Sequence, residues 1–145
     1  MGFGEVATHL IIFITAVIIA SSASAVMFIT VQKIAIEANE QGENLKKLVG
    51  TDFEIINDPV NVVYNSTLGA YIIYLKNTGT EELYTTNKTL TVMLNGTVVD
   101  FTSDKVSIKP GETATLYVYT PQLSGDVRLS VISDVGVKKT FEFQG

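Results

Sequence analysis

His9-Leu10-Ile11-Ile12-Phe13-Ile14-Thr15-Ala16-Val17-Ile18-Ile19-Ala20-Ser21-Ser22-Ala23-Ser24-Ala25-Val26-Met27-Phe28-Ile29-Thr30-Val31 contains no Asp, Glu, Lys or Arg, and the charge-free interval runs from Val6 to Gln32, between Glu5 and Lys33. As a helix rising about 1.5 Å per residue it reaches roughly 40 Å, more than the roughly 30 Å of hydrocarbon in a bilayer. One membrane-spanning helix is expected. A secretory leader differs in having a basic start and an apolar core of only about 7–15 residues. Here no Lys or Arg precedes Lys33, so a retained anchor is expected, although Ser21-Ser22-Ala23-Ser24-Ala25 also has the character of a small-residue cleavage site.

Outward from this stretch the helical pattern continues. Ile34, Ala38, Gln41, Leu45 and Leu48 recur at alternating spacings of four and three, the seam of a coiled coil or of a helix packing on a partner. Gly42 and Gln41 weaken that seam, and a solvated stalk fits it equally well. Glu43 and Lys47 stand in the favourable order for an i,i+4 pair, and Gly50 is a natural stop. A rod from about Glu5 to Leu48 would be near 65 Å long. Within the apolar part, Ala20, Ala23 and Ser24 would let two helix backbones approach closely in lipid. Glu5 is placed to neutralise the amino terminus of a neighbouring subunit in a helical array, or simply to form a polar interfacial end with His9. The candidate helix-packing set is therefore Glu5, Ala20, Ala23, Ser24, Ile34, Ala38 and Leu45.

From Thr51 the period changes to two. Strands are expected at Asp52–Asn57, Val62–Tyr64, Ala70–Lys76, Glu81–Tyr84, Thr89–Leu94, Thr97–Phe101, Lys105–Ile108, Thr113–Tyr119, Asp126–Ile132 and Lys138–Phe143, all rich in Val, Ile, Thr, Tyr and Phe. Asn57-Asp58-Pro59, Asn77-Thr78-Gly79, Pro110-Gly111 and Ser124-Gly125 punctuate them, and Asn95-Gly96 is a type I′ hairpin signal. The expected layout is α+β: residues 1–50 as a pilin-like transmembrane and stalk helix, then 51–145 as an all-β, immunoglobulin-like sandwich of seven or eight strands. Roughly 95 residues suffice for one such core and not for two.

Composition excludes much chemistry. With ten basic against fifteen acidic side chains and no basic cluster, nucleic acid is not an expected partner. The single histidine, His9, lies in the apolar run and there is no cysteine, so a Ser-His-Asp arrangement, a thiol nucleophile and a His- or Cys-rich metal site cannot be built within this chain. Glu81-Glu82 and Asp100 with Asp104 lack the spacing of a calcium loop, and the glycines form no phosphate cradle. No catalytic residue, cofactor, metal or small-molecule substrate is expected. Tyr71, Tyr74, Tyr84, Tyr117 and Tyr119 combine contact area with a polar tip and are candidate interface anchors, with core packing the alternative for most. Because they are two apart on one strand, Tyr117 and Tyr119 are expected on the same face. Asn65-Ser66-Thr67, Asn87-Lys88-Thr89 and Asn95-Gly96-Thr97 satisfy the acceptor pattern for N-glycosylation and point the head outward. The charge bias, with Lys33, Lys46 and Lys47 all after the helix, points it inward.

An apolar N-terminal helix, then Gly50-Thr51-Asp52-Phe53-Glu54-Ile55-Ile56-Asn57-Asp58-Pro59, then Tyr71-Ile72-Ile73-Tyr74-Leu75-Lys76-Asn77-Thr78-Gly79, then Lys109-Pro110-Gly111-Glu112, resembles the archaellum protein G family (FlaG) over nearly the whole chain. The sibling archaellum protein F family, with the same helix-plus-sandwich layout, is the second choice. The resemblance implies a non-enzymatic part of the archaeal motility machine, a single-pass protein of the cytoplasmic membrane. It places the β head outside the cell beneath the surface layer, in the stator around the rotating filament. Archaellum protein F is the implied partner, with surface-layer protein and the filament as further contacts and a homo- or hetro-oligomer as the expected state. The basic leader of archaellins has no counterpart in Met1-Gly2-Phe3-Gly4-Glu5, so an intact N-terminus is expected. The competing class is a pilin-like filament subunit with packed helices inside and β heads outside. A membrane-held adhesin is also compatible with the fold.

Overall fold

The computed structural model describes residues 2–145 and divides into a helical unit, up to Asn44, and a β unit, Leu45–Gly145. The helix α1 runs unbroken from Gly2 to Gly50, through Gly42. Its apolar side chains are exposed along the entire run and lie on all sides, so water is a poor solvent for it. It is long and apolar enough to cross a membrane. The six hydroxyls of Thr8, Thr15, Ser21, Ser22, Ser24 and Thr30 each donate to the carbonyl four residues earlier, at 2.7–2.8 Å. They are thereby satisfied inside the helix, which removes the cost of placing them in hydrocarbon.

In the β unit the strands are β1 Phe53–Ile55, β2 Tyr64–Asn65, β3 Ala70–Asn77, β4 Leu83–Tyr84, β5 Leu90–Leu94, β6 Thr97–Val99, β7 Phe101–Ser103, β8 Ser107–Ile108, β9 Thr113–Tyr119, β10 Asp126–Ser133 and β11 Lys138–Gln144. All pairings are antiparallel. One five-stranded sheet has the order β1-β3-β9-β7 with β2 also on β3; a four-stranded sheet has the order β11-β10-β5-β6; β4 and β8 form a small ribbon. Alternation builds the core. Tyr71, Ile73 and Leu75 of β3 and Ala114, Leu116 and Val118 of β9 are buried together with Val92 and Leu94 of β5 and Val127, Leu129 and Val131 of β10. Tyr71 joins the two layers through an edge-on contact with Phe143 of β11 at 5.2 Å between ring centres.

Two expectations are corrected. Thr97–Phe101 is not one strand: β6 pairs with β5 and β7 pairs with β9, so the chain changes sheets at Asp100, whose carbonyl accepts from the Tyr119 amide at 2.9 Å. The crossing preserves alternation, since half-buried Val99 and buried Phe101 both stay on the core side. Instead of seven or eight strands there are eleven short segments, because the edges are broken rather than continuous. The Asn95-Gly96 hairpin forms as expected, with φ of 49° and 84° at its two central residues.

Candidate partner interface

The five-stranded sheet carries large side chains on its outer face as well as on its inner one. On β3 the residues between the core positions are Ile72, Tyr74 and Lys76; on β9 they are Thr113, Thr115, Tyr117 and Tyr119. Register brings them together. Ile72 lies opposite Tyr117, Tyr117 opposite Thr102 of β7, and Tyr74 opposite Thr115. The Ile56 amide donates to the Tyr74 carbonyl at 3.1 Å, which extends the row past β1 and sets half-exposed Ile56 beside Tyr74. Tyr74 is 41% and Tyr119 39% exposed, and the Tyr119 hydroxyl is 2.9 Å from the Thr102 hydroxyl. Tyr117 and Tyr119 thus share a face, as their spacing requires. The patch combines aromatic area with hydroxyls and has no charge at its centre, which is the composition of an interface core.

Asn57 supports this face from the edge. The chain leaves the sheet after β1, and the Asn57 side chain takes its place: its amide donates to the Ile72 carbonyl at 2.9 Å and its carbonyl accepts the Tyr74 amide at 2.6 Å. Asp58 then turns the chain by accepting from the Val60 amide at 3.0 Å. Pro59 and Val60 project beyond, Val60 being 87% exposed. The Ile56-Asn57-Asp58-Pro59 segment is therefore an edge plug, which substitutes side-chain groups for a missing strand.

The five candidate tyrosines are distributed over three places. Tyr74, Tyr117 and Tyr119 lie on the outer face. Tyr71 is 2% exposed and its hydroxyl accepts the Leu123 amide at 2.9 Å, so it is a core residue and is withdrawn from any contact surface. Tyr84 is exposed on the small ribbon, apart from the others, where it lines a recess with Lys47, Thr51, Glu81 and Asp134. Sequence reading missed Ile56, Ile72 and Thr102. The detectable sign was that β3 and β9 carry large side chains at both parities, where a sheet with a wet face carries them at one.

Of the acceptor asparagines, Asn65 ends β2 and its side-chain carbonyl accepts from Thr67 and Leu68 amides at 3.0 and 3.2 Å. Asn87 is exposed in the turn before β5, and Asn95, at the hairpin tip, accepts the Arg128 amide at 2.8 Å. In the helix Ala20, Ala23, Ser24, Ile34, Ala38 and Leu45 are exposed, as is Glu5. A groove of about 780 Å³ over the four-stranded sheet is lined by Pro59, Val60, Met93, Lys138 and the Arg128–Glu142 pair, which closes at 2.7 Å. Among the described residues no group of three or more His, Cys, Asp or Glu side chains is placed to hold a metal.

Residues 2–143 match the profile of the archaeal-type flagellins. The chain belongs to the archaeal-type flagellin family. Within the family it is similar to the putative flagella-related protein G of Methanocaldococcus jannaschii, at 30% identity over 139 residues, covering 91% of this chain and 90% of that protein. The protein of the same name from Methanococcus voltae is 29% identical over 144 residues, covering 94% and 95%. Among solved structures, the archaellum periplasmic stator protein FlaG from Sulfolobus acidocaldarius superposes with a TM-score of 0.50 at 17% identity, covering 64% of this chain and 99% of that one. That likeness is one of fold. These relatives bear out the resemblance to protein G, and the fold class is the one expected: a long N-terminal helix followed by an antiparallel β domain.

Proposed function

We propose that the protein is a non-catalytic structural part of the archaellum. Residues 1–50 serve as membrane and stalk segment and residues 51–145 as a head outside the cytoplasmic membrane. The head acts in the stator around the rotating filament. The observation that carries this reading is the match over about nine-tenths of both chains with a protein named for flagella and not for an enzyme. The Sulfolobus protein of the same fold is named a periplasmic stator, which supports the outside placement. A stator part needs an anchor and a contact surface. The charge-free part of α1 supplies the first; the Ile56, Ile72, Tyr74, Tyr117 and Tyr119 face supplies the second. Its occupant in this reading is archaellum protein F, and burial of the tyrosine area with the hydroxyls repaired to partner groups would hold the complex.

The test is capture of archaellum protein F by the tagged full chain solubilised from membranes, at several salt concentrations. Recovery of protein F is expected, reduced about tenfold or more when Tyr74 and Tyr119 are both Ala. No recovery at any salt contradicts the reading. The flagellin profile across residues 2–143 favours a second one, a filament subunit with α1 in the core. Electron microscopy of the purified full chain separates the two, since filaments support the second and discrete particles the first.

A further inference from the structure

The last helical turn, Leu45–Gly50, belongs to the β unit, and the sequence Asn77-Thr78-Gly79-Thr80-Glu81 is wrapped around its end. Helix ends leave carbonyls without intrahelical partners. Here the Gly50 carbonyl accepts two amides, Thr80 at 2.8 Å and Glu81 at 3.1 Å, while the Lys47 carbonyl accepts Thr51 at 2.9 Å. Two residues on, the Asp52 carbonyl accepts the amides of Thr78 at 3.1 Å and Gly79 at 3.0 Å. Gly50 is buried, and a Cβ there would lie 2.6 Å from Glu81 Cγ. Gly79 is tighter still. A Cβ on it would strike the Gly50 carbonyl oxygen and lie 2.6 Å from the Asp52 nitrogen, both backbone atoms that cannot swing aside. The turn itself is fixed by Asn77, which is fully buried. Its side-chain amide donates to the carbonyls of Glu81 at 2.8 Å and Ile108 at 2.9 Å, and its side-chain carbonyl accepts the Gly79 amide at 3.0 Å. Lys46 reaches back from the helical turn to Glu81 at 3.2 Å.

We infer that the Asn77–Glu81 turn is a clamp that makes the last helical turn, Leu45–Gly50, a fixed part of the β unit, with no swivel at Gly50-Thr51. A junction meant to swivel would leave these carbonyls to water and would accept side chains at residues 50 and 79. Here amides take the carbonyls, a side chain at residue 79 would strike backbone, and one at residue 50 would require Glu81 and Thr80 to shift. The inference concerns the joint alone and is independent of the partner assigned to the outer face.

Hydrogen exchange on the full chain in detergent micelles tests it, with the β3 and β9 amides as an internal measure of folding. In the wild type the amides of Thr51, Thr80 and Glu81 are expected to exchange as slowly as those of β3 and β9. Gly79→Ala is expected to speed all three by about tenfold or more while β3 and β9 keep their protection. Gly42→Ala, whose Cβ has nothing within 4 Å, is expected to leave them unchanged. Free exchange of Thr80 and Glu81 in the wild type, or exchange in Gly79→Ala equal to wild type, overturns the clamp. If Gly79→Ala does not fold, the wild-type rates decide alone.

Discussion

Asn77 and Asp52 both stabilise the place where β1 begins and β3 ends, for different reasons. Asn77 is wholly buried and spends every polar group of its side chain on backbone. Asn77→Ala removes the donor from the buried Ile108 carbonyl and from the part-buried Glu81 carbonyl, and a buried unpaired group costs about 1–3 kcal/mol. A loss of about 2–4 kcal/mol is expected by denaturant unfolding. A loss below about 0.5 kcal/mol would mean that water reaches the turn. Asp52 instead works through charge. Its hydrogen bond with Lys139, at 3.0 Å, is the main reason its carboxyl is held below the ordinary 3.8; desolvation, the next largest effect, opposes it, and the Lys139 charge, the Phe53 amide and the Thr78 side chain add smaller lowering contributions. Since the folded value is depressed, the carboxylate's contribution is complete above the ordinary value and fades as pH falls from there through the folded one. The pair is half exposed, so the effect is small. Stability measured against pH is expected to show wild type and Asp52→Asn fully separated above about pH 5 and converging as pH falls below the ordinary carboxylate value. A constant difference at all pH values would remove the ion pair from the account.

At the level of strands and helix, the two faces of β9 make opposite predictions. Leu116 is fully buried and Leu116→Ala is expected to cost about 2–5 kcal/mol, whereas Tyr119→Ala on the outer face is expected to cost under about 1 kcal/mol. Equal costs would contradict the assignment of faces. This alternation was legible in the sequence, as were α1 from its charge-free run and the hairpin from Asn95-Gly96. The placement of Tyr71 was legible too, because it stands three positions before Tyr74 and an odd spacing on one strand puts them on opposite faces. Other features were hidden for physical reasons. The change of sheet at Asp100 keeps Val99 and Phe101 pointing inward, so the pattern reads as one strand. The meeting of Ile72 with Tyr117 is a register between segments about 45 residues apart, and local periodicity carries no register across such a distance. The Asn57 plug was visible only as a turn signal, because a side chain that completes a ladder leaves no trace in hydrophobic spacing.

For the molecule as a whole, an apolar helix and a sandwich with one aromatic face uncharged at its centre make two separate demands on their surroundings. Exposed apolar surface on every side of α1 calls for lipid or packed helices. In the proposed reading the outer face meets a protein partner. If the face serves protein F, the Tyr74 and Tyr119 double variant should reach the membrane in normal amount and fail in swimming; normal swimming would leave the face without a role in motility. The proposal as a whole rests on a membrane-held head outside the cytoplasm, and a protease applied to cells stripped of their surface layer, with a tag at the C-terminus, tests that most directly. The tag is predicted to be removed from intact stripped cells and retained in inverted membrane vesicles. Retention in the cells with loss in the vesicles would place the head in the cytosol and contradict the account.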